Sequence, residues 1–191
     1  MTALPLVAAQ SAPRDGDLVA AVGRGDLEAL GKLFERHEPL LRRYFGRLGV
    51  APGDVDDVIQ AVFLEIMRAA ERYDSQYSVK SWICGIATIM ARRHHRSLAR
   101  WAARMASWAG VETKDEIATP YEIVEHDQAA RILKRALAGL SEKKREVFVL
   151  VTLEGFSGEE AARALGVPLK TVWTRLHYAR RELRAALEQS A

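Results

Sequence analysis

Residues 154–184 read EGFSGEEAARALGVPLKTVWTRLHYARRELR, and this stretch predicts two helices joined by a tight turn. Ser157 and Glu160 form the S-x-x-E pattern of a capping box, which marks the start of the first helix. Gly166 is placed to end that helix, and Pro168 opens the second one, where the missing N–H of a proline is tolerated. The stretch therefore predicts a helix-turn-helix.

The second of these helices has an apolar side and a polar, basic side. The apolar positions repeat at helical spacing: Val172, Leu176, Ala179 and Leu183. Mostly off that stripe lie Lys170, Thr171, Trp173, Thr174, Arg175, His177 and Arg180. Such a helix can enter the major groove of DNA, whereas an ordinary helical hairpin would show the same pattern as a solvated charged face. Because turn, cap and surface chemistry agree, we favour a DNA-reading helix.

The composition is that of a globular chain with clustered positive charge. The 191 residues include 28 Lys and Arg against 25 Asp and Glu, a formal net charge of +3. Hydrophobic residues make up 49% of the chain, which is enough for a core in one large or two small domains. The single cysteine, Cys84, excludes an intrachain disulfide and a C-x-x-C metal pair, and its apolar surroundings predict a buried role in a reducing compartment.

Helical periodicity runs through the chain and strand-like alternation is scarce, which predicts an all-α fold. Residues 75–111 contain no acidic side chain, whereas residues 112–127 are strongly acidic and include Pro120. A composition shift with a proline is typical of a linker between domains. We therefore predict two small helical domains, residues 15–105 and 128–191, a flexible acidic linker over residues 106–127, and a loose extension over residues 1–14.

The N-terminal residues do not have the pattern of a secretory signal peptide. They lack a positively charged start, and Pro5 interrupts their apolar run. No stretch of the sequence approaches the length of a membrane-spanning helix. We expect a protein that is not inserted in a membrane and is located in the cytoplasm.

Residues 92–104 are the most basic part of the chain, with five arginines, two histidines and Trp101. A solvated helix face is the ordinary alternative, but so many positive side chains without a counter-charge repel one another. We favour binding to a nucleic-acid backbone, with the aromatic ring or the guanidinium planes available to stack on unpaired bases.

The sequence offers no residues for catalysis or for a metal. His94 and His95 are adjacent, so on a helix they point to different sides and cannot readily share one ion. The carboxylates of Asp54, Asp56 and Asp57 have no phosphate loop or glycine-rich cradle beside them. Helix capping and an exposed acidic contact surface explain them better. No pair of nucleophile and base stands out, so we expect neither enzymatic activity nor a cofactor.

Three motifs in this order resemble a bacterial alternative sigma factor of the small, two-domain extracytoplasmic-function type. The first is DVDDVIQAVFLEIMR, residues 54–68, which matches the family pattern D-x-x-D-x-x-Q-x-x-F. The second is SVKSWICGIATIMARRHHR, residues 78–96, which is similar to S-F-x-x-W-L-x-x-I-A. The third, residues 140–183, resembles the domain that reads the −35 promoter element. The resemblance covers residues 15–188 and implies two helical domains, of the region 2 type and the region 4 type.

The resemblance also implies partners and contacts. The first motif would dock on the clamp of core RNA polymerase through Asp54, Asp57 and Gln60, with Phe63 packed inward. The second would read and melt the −10 element, and its expected DNA contacts are Lys80, Thr88, Arg92, Arg93 and Arg96. The third would read the −35 element through Lys170, Thr171, Trp173, Thr174, Arg175, His177 and Arg180. Members of the family are usually held by an anti-sigma factor, which is therefore an expected partner beside polymerase and promoter DNA.

Four departures of the chain from the family pattern bear on its expected DNA contacts. Ile89 stands where many members have Asn, and Arg93 stands where an Asp is frequent. In the recognition helix, Lys170 replaces a glycine and Trp173 replaces a basic residue of the pattern G-T-V-K/R-S-R-L. We therefore expect the preferred −35 sequence to diverge from that of other members.

Three other classes of protein were weighed against this interpretation. A free-standing helix-turn-helix regulator that binds an operator as a dimer needs no polymerase-docking helix, so residues 54–68 argue against it. An α-helical interaction protein without DNA function leaves the acid-free residues 75–111 unexplained. A DNA-processing enzyme such as a recombinase lacks a visible nucleophile. Transcription in vitro with core polymerase, with and without the chain, would discriminate among them.

Overall fold

The computed structural model describes residues 13–109 and 128–188, and in these ranges it contains helices and no β-strand. The all-α prediction is therefore confirmed for this part of the chain. The α-helices are α1 (Asp15–Gly23), α2 (Leu27–Leu48), α3 (Pro52–Ala69), α4 (Val79–Ala109), α5 (Gln128–Ala138), α6 (Glu142–Phe148), α7 (Gly158–Leu165) and α8 (Leu169–Glu188). A 3-10 turn, Ala70–Arg72, follows α3, and a π-helical segment, Val149–Leu153, follows α6. None of the described helices is long and apolar enough to cross a membrane.

Helices α1 to α4 pack together as the N-terminal domain. The carboxylate of Asp26 accepts a hydrogen bond from the backbone N–H of Ala29 at 3.0 Å and caps α2, and Gly49 ends α2 in the left-handed conformation at φ +87°. Pro39 lies inside α2 without ending it. The largest fully buried side chains of the domain are Leu33, Leu41, Tyr44, Phe45, Ile59, Ile66 and Ile83.

The expectation that Asp54 caps the third helix is wrong. Helix α3 begins two residues earlier, at Pro52, and Ala51 is its N-cap residue. Proline is favoured at the first helical position because its missing N–H has no helical partner there. Asp54 therefore lies in the first turn, where its negative charge still favours the positive end of the helix dipole.

Helices α5 to α8 form the C-terminal domain, which ends in the predicted helix-turn-helix. The capping box is present: the N–H of Glu160 donates to Ser157 Oγ at 3.1 Å, and the N–H of Ser157 donates to Glu160 Oε2 at 2.9 Å. Gly166 ends α7 at φ +65°. The predicted apolar stripe of α8 is buried in full. Ser141 occupies the N-cap position of α6 but makes no side-chain capping bond.

The two domains lie against each other, with α4 packed on α7. The approach is close at Gly85, where a Cβ atom would stand 3.2 Å from the carbonyl oxygen of Ala164. Helix α4 ends at Ala109, four residues inside the predicted linker. The rest of that linker, residues 110–127, and most of the predicted extension, residues 1–12, lie outside the described residues.

Candidate nucleic-acid interface

Helix α8 turns a polar surface away from the core of the C-terminal domain. At about 100° per residue, Lys170, Thr174, His177 and Arg181 lie roughly opposite the buried stripe. All four side chains are exposed. The hydroxyl of Thr174 donates to the carbonyl of Lys170 at 2.9 Å, which leaves its oxygen free to accept another bond. This surface combines cations with hydrogen-bonding groups, which is the chemistry that reads and holds DNA.

The remaining predicted −35 residues lie on the two flanks of this surface. Trp173 and Arg180 are exposed on one flank, beside His177, and together with Arg181 and Arg184 they line a shallow groove. Thr171 and Arg175 are half-buried on the other flank. The structure therefore brings five of the seven predicted residues to the exposed surface of one helix and leaves two at its edge.

Sequence reasoning missed three exposed residues of this surface, Tyr178, Arg181 and Arg184. The guanidinium carbon of Arg181 lies 5.0 Å from the centre of the Tyr178 ring, a distance typical of a cation–π contact. The signal was present, because these residues follow Lys170, Thr174 and His177 at helical spacing on the side opposite the apolar stripe.

Two of the predicted −10 residues are engaged with the C-terminal domain. Arg92 Nε and Nη2 donate to Oε1 and Oε2 of Glu146, each at 2.6 Å, and these hydrogen bonds raise the pKa of Arg92 above its usual value. Lys80 Nζ donates to the backbone carbonyl of Glu154 at 2.9 Å and lies 4.9 Å from the centre of the Phe156 ring. In this arrangement neither side chain is available to DNA, which differs from the prediction.

Thr88, which was predicted to contact DNA, lies inside the N-terminal domain. Its side chain is fully buried, and its hydroxyl donates to the carbonyl of Cys84 at 2.7 Å and lies 2.7 Å from the hydroxyl of Tyr44. The neighbour of Thr88 on the helix, Ile89, is exposed instead. The hydroxyl of Thr88 therefore makes its hydrogen bonds inside the core, and no part of the side chain is exposed to a ligand. Cys84 is buried as predicted, and burial raises the pKa of its thiol to about 12.

Arg93 and Arg96 are the predicted −10 residues that the structure exposes. Further along α4, the side chains of Arg100, Trp101 and Arg104 are exposed as well. These five residues, which we call the basic end of α4, form a continuous positive surface with one aromatic ring. Because no acidic side chain lies on this part of the helix, the surface keeps its positive potential.

The two adjacent histidines have separate partners. His94 Nε2 lies 3.2 Å from Asp54 Oδ2 but makes no aligned hydrogen bond, and His95 Nδ1 lies 3.5 Å from Glu142 Oε1. Their side chains therefore turn toward different elements. Within residues 13–109 and 128–188, no group of three His, Cys, Asp or Glu side chains has the arrangement of a metal site.

The predicted polymerase surface lies on the outer side of α3. Asp57 and Gln60 are exposed, whereas Asp54 is half-buried beside His94. Phe63 is buried as expected, with its ring centre 4.9 Å from that of Phe34. A groove runs along this surface, and it includes apolar side chains that sequence reasoning missed: Leu30, Phe34, Leu64 and Met67. Phe34, Leu64 and Met67 are large hydrophobic residues left exposed, which marks an interaction surface.

Known proteins and families match both domains. Residues 33–102 match the family described as Sigma-70 region 2, and residues 130–183 match Sigma-70, region 4. The RNA polymerase sigma factor CnrH of Cupriavidus metallidurans is 30% identical over 185 residues, which cover 92% of this chain and 96% of CnrH. The ECF RNA polymerase sigma-E factor of Escherichia coli is 27% identical over 173 residues, covering 87% of this chain and 90% of that factor.

Solved structures agree with these matches. CnrH in complex with the cytosolic domain of CnrY superimposes with a TM-score of 0.67 at 26% identity, over 93% of this chain and 99% of that one. The sigma factor RpoE of Bartonella quintana, in complex with the anti-sigma factor NepR, shares the fold with a TM-score of 0.62 at 23% identity, over 83% of this chain and 96% of that one.

The chain therefore belongs to the sigma-70 family of RNA polymerase sigma factors and, within that family, to the extracytoplasmic-function group. It is an alternative sigma factor that directs promoter-specific initiation of transcription. Sigma factors of this kind are initiation factors without catalytic activity of their own. The two helical domains correspond to regions 2 and 4 of the family.

Proposed function

We propose that α8 reads the −35 element, that α4 and the loop before it engage the −10 element, and that α3 docks on core RNA polymerase. The proposal rests mainly on α8, whose polar residues surround a basic surface opposite the buried stripe. Lys170, Thr174 and His177 stand at the middle of that surface and would face base edges. Arg175 and Arg180 stand at its two edges and would hold the phosphates on either side, which sets the register.

The N-terminal domain would hold the −10 element through the basic end of α4 and the loop at residues 73–78. A base that leaves the stack costs a few kcal/mol, and trapping it in a protein pocket offsets that cost. Arg93 and Arg96 can bind the separated strand as they stand. Lys80 and Arg92 could join them only after leaving Glu154 and Glu146, so their use in DNA binding would require the two domains to separate.

The polymerase-docking assignment is supported by the combination of charge and apolar surface on α3. The carboxylate of Asp57 and the amide of Gln60 stand beside the exposed Leu64 and Met67. A hydrophobic centre with polar groups at its rim is typical of protein interfaces. This surface would meet the clamp of core polymerase.

An anti-sigma factor is the further partner that we propose. Support comes from two related structures: CnrH is bound to the cytosolic domain of CnrY, and RpoE is bound to the anti-sigma factor NepR. We further infer that this chain acts in the cytoplasm, where bacterial polymerase works, and that it has no enzymatic activity. The acidic segment at residues 112–127 would occupy the nucleic-acid channel of polymerase without binding promoter DNA.

The phosphate role of Arg180 is tested by the salt dependence of promoter binding. Polymerase reconstituted with the Arg180→Ala variant should bind promoter DNA more weakly, and the slope of log K against log salt should fall by roughly 0.9 for the lost phosphate contact. Arg175→Ala should behave in the same way. Lys143→Ala, on the exposed side of α6, is the matched control that should leave the slope unchanged. An unchanged slope for both arginine variants would contradict the phosphate role.

The docking surface is tested by capture of core polymerase. The double variant Asp57→Lys with Gln60→Ala reverses one charge and removes one amide at the middle of the α3 surface, so we expect binding to be abolished. Glu71→Lys is the charge-matched control, because Glu71 is exposed on the 3-10 turn away from the groove. Retained capture by the double variant would rule out this assignment.

A further inference from the structure

The indole ring of Trp173 lies directly on Gly158, the first residue of α7. A Cβ atom at Gly158 would stand 2.4 Å from Trp173 Cζ2, 3.0 Å from Trp173 Cε2 and 3.0 Å from Leu169 Cδ1. Carbon atoms attract each other best at about 3.5–4.0 Å, so a methyl group cannot occupy this place while the indole is there. The ring covers the glycine, and Gly158 is buried although it opens a helix at the surface.

The backbone does not explain why this residue is glycine. Among the glycines that the structure describes, Gly25, Gly49, Gly155 and Gly166 have positive φ, and Gly158 does not. Its conformation is helical, and alanine would be the better helix former there. The absence of a side chain at Gly158 therefore makes room for the ring of Trp173 and for the end of the Leu169 side chain.

The contact fixes an aromatic ring at the edge of the DNA-facing surface. Trp173 remains 49% exposed, and its exposed part borders the same shallow groove as His177 and Arg180. One side of the ring lies against Gly158, so the indole has less rotational freedom than an ordinary surface tryptophan. A rigid apolar ring at this place can contact the methyl group of thymine or the sugar of a neighbouring nucleotide.

We propose that Gly158 is a positioning residue for promoter recognition: it sets the orientation of Trp173 and, through that ring, the base preference at the −35 element. This inference rests on the proposed function of α8 as the −35 reader. The competing explanation is that Trp173 only anchors α7 to α8. In that case its removal would lower stability and leave the order of preferred promoters unchanged.

The test uses polymerase reconstituted with the full chain and a promoter library in which the −35 element is randomised and the −10 element is fixed. Transcripts from wild type, Gly158→Ala, Trp173→Ala and the double variant are sequenced to rank the −35 sequences. We expect Trp173→Ala to change the relative use of individual bases by roughly fivefold or more, which is the usual cost of one unfavourable base pair. Gly158→Ala should change the preference at the same positions.

The double variant separates the proposal from an effect of Gly158 on its own. Once the indole is absent, the added methyl group meets only the end of the flexible Leu169 side chain, which can move aside, so Gly158→Ala should have little further effect in the Trp173→Ala background. The proposal is overturned if Gly158→Ala keeps the wild-type ranking while Trp173→Ala changes it. It is also overturned if the shift caused by Gly158→Ala persists without Trp173, or if Trp173→Ala changes stability alone.

Two further variants keep the test decisive. If Gly158→Ala unfolds the C-terminal domain, adding Trp173→Phe should restore the fold, because the smaller ring leaves space for the methyl group. A double variant that stays unfolded would contradict the contact between Gly158 and the ring of Trp173. His177→Ala tests α8 independently of the tryptophan. If His177→Ala changes the −35 preference and Trp173→Ala does not, the inference about Gly158 is wrong but α8 still reads the −35 element. If neither variant changes the preference, the proposed −35 role of α8 is wrong as well.

Discussion

Asp15 is the residue that ties α1 to α2. Its Oδ1 accepts a hydrogen bond from Arg36 Nη1 at 2.8 Å, and its Oδ2 lies 2.7 Å from His37 Nε2. Burial by itself raises the pKa of this carboxyl, but the hydrogen bonds from Arg36 and His37 and their charges outweigh burial, so the pKa lies below its ordinary value. The ionised carboxylate is thus the form that the fold prefers.

The shifted pKa of Asp15 predicts a pH-dependent contribution to stability. A carboxyl whose pKa is lower in the folded state stabilises the fold above its unfolded pKa, and this contribution is lost as the pH falls through the folded pKa. Asp15→Asn should lower the thermal unfolding midpoint at neutral pH, and the difference from wild type should close below about pH 4. Circular dichroism melts across the acidic range measure it.

The control for Asp15 is Asp17→Asn. Asp17 pairs with Arg14 at 3.2 Å, and both of these side chains are more than half exposed, so the contact contributes little. Its melting curve should follow that of wild type at every pH. A midpoint difference for Asp15→Asn that stays constant from neutral pH to well below pH 4 would contradict the linkage.

Thr88 illustrates the limit of residue-level prediction. The resemblance of residues 78–96 to the −10-reading segment named it as a DNA contact, but a motif alone does not say which face of a long helix meets the core. Its burial depends on Tyr44, which is 44 positions earlier in the chain and on a different helix. The family resemblance could name the helix that carries the −10 contacts, whereas only the packing of α2 on α4 shows which of its side chains remain outside.

Helix α7 begins with a complete capping box. The two reciprocal hydrogen bonds of Ser157 and Glu160 satisfy backbone donors that have no helical partner. We predict that Ser157→Ala lowers the free energy of unfolding of the C-terminal domain by about 1 kcal/mol. Chemical denaturation followed by circular dichroism gives this value. Glu159→Gln, at an exposed position of the same turn that makes neither capping bond, should be nearly neutral, and equal losses for the two variants would argue against the cap.

Helix boundaries could be predicted well wherever the signal was local. The Ser157 cap and the terminal glycine Gly166 act through their own backbone neighbours, so the residue type at each position is enough to predict the boundary. Asp54 failed because two local signals competed, and the proline two residues before it defines the start of α3. The order of helices and the presence of the recognition surface followed from periodicity and from the family motifs.

The contact between the two domains could not have been predicted from the sequence. Its ion pairs join residues far apart in the chain: Arg92 meets Glu146 across 54 positions, and Arg47 meets Glu154 across 107. The side chains of Glu146 and Glu154 are only 2% exposed, although in the sequence they look like ordinary surface glutamates. Burying a carboxylate costs free energy unless the carboxylate is paired. Both glutamates have their arginine partners when the domains lie in this relative orientation, so the two ion pairs favour it.

The close approach of α4 and α7 at Gly85 gives the sharpest test of this arrangement. A leucine there would push against the backbone of Ala164, which cannot move aside as a flexible side chain could. Leucine also favours a helix more than glycine does, so α4 itself should remain intact.

We therefore predict that Gly85→Leu separates the domains while circular dichroism still shows native helix content. Small-angle X-ray scattering should report a larger radius of gyration. Gly31→Leu, at an exposed helical glycine with open space around it, should keep the compact value, and equal radii for both variants would contradict the packed arrangement.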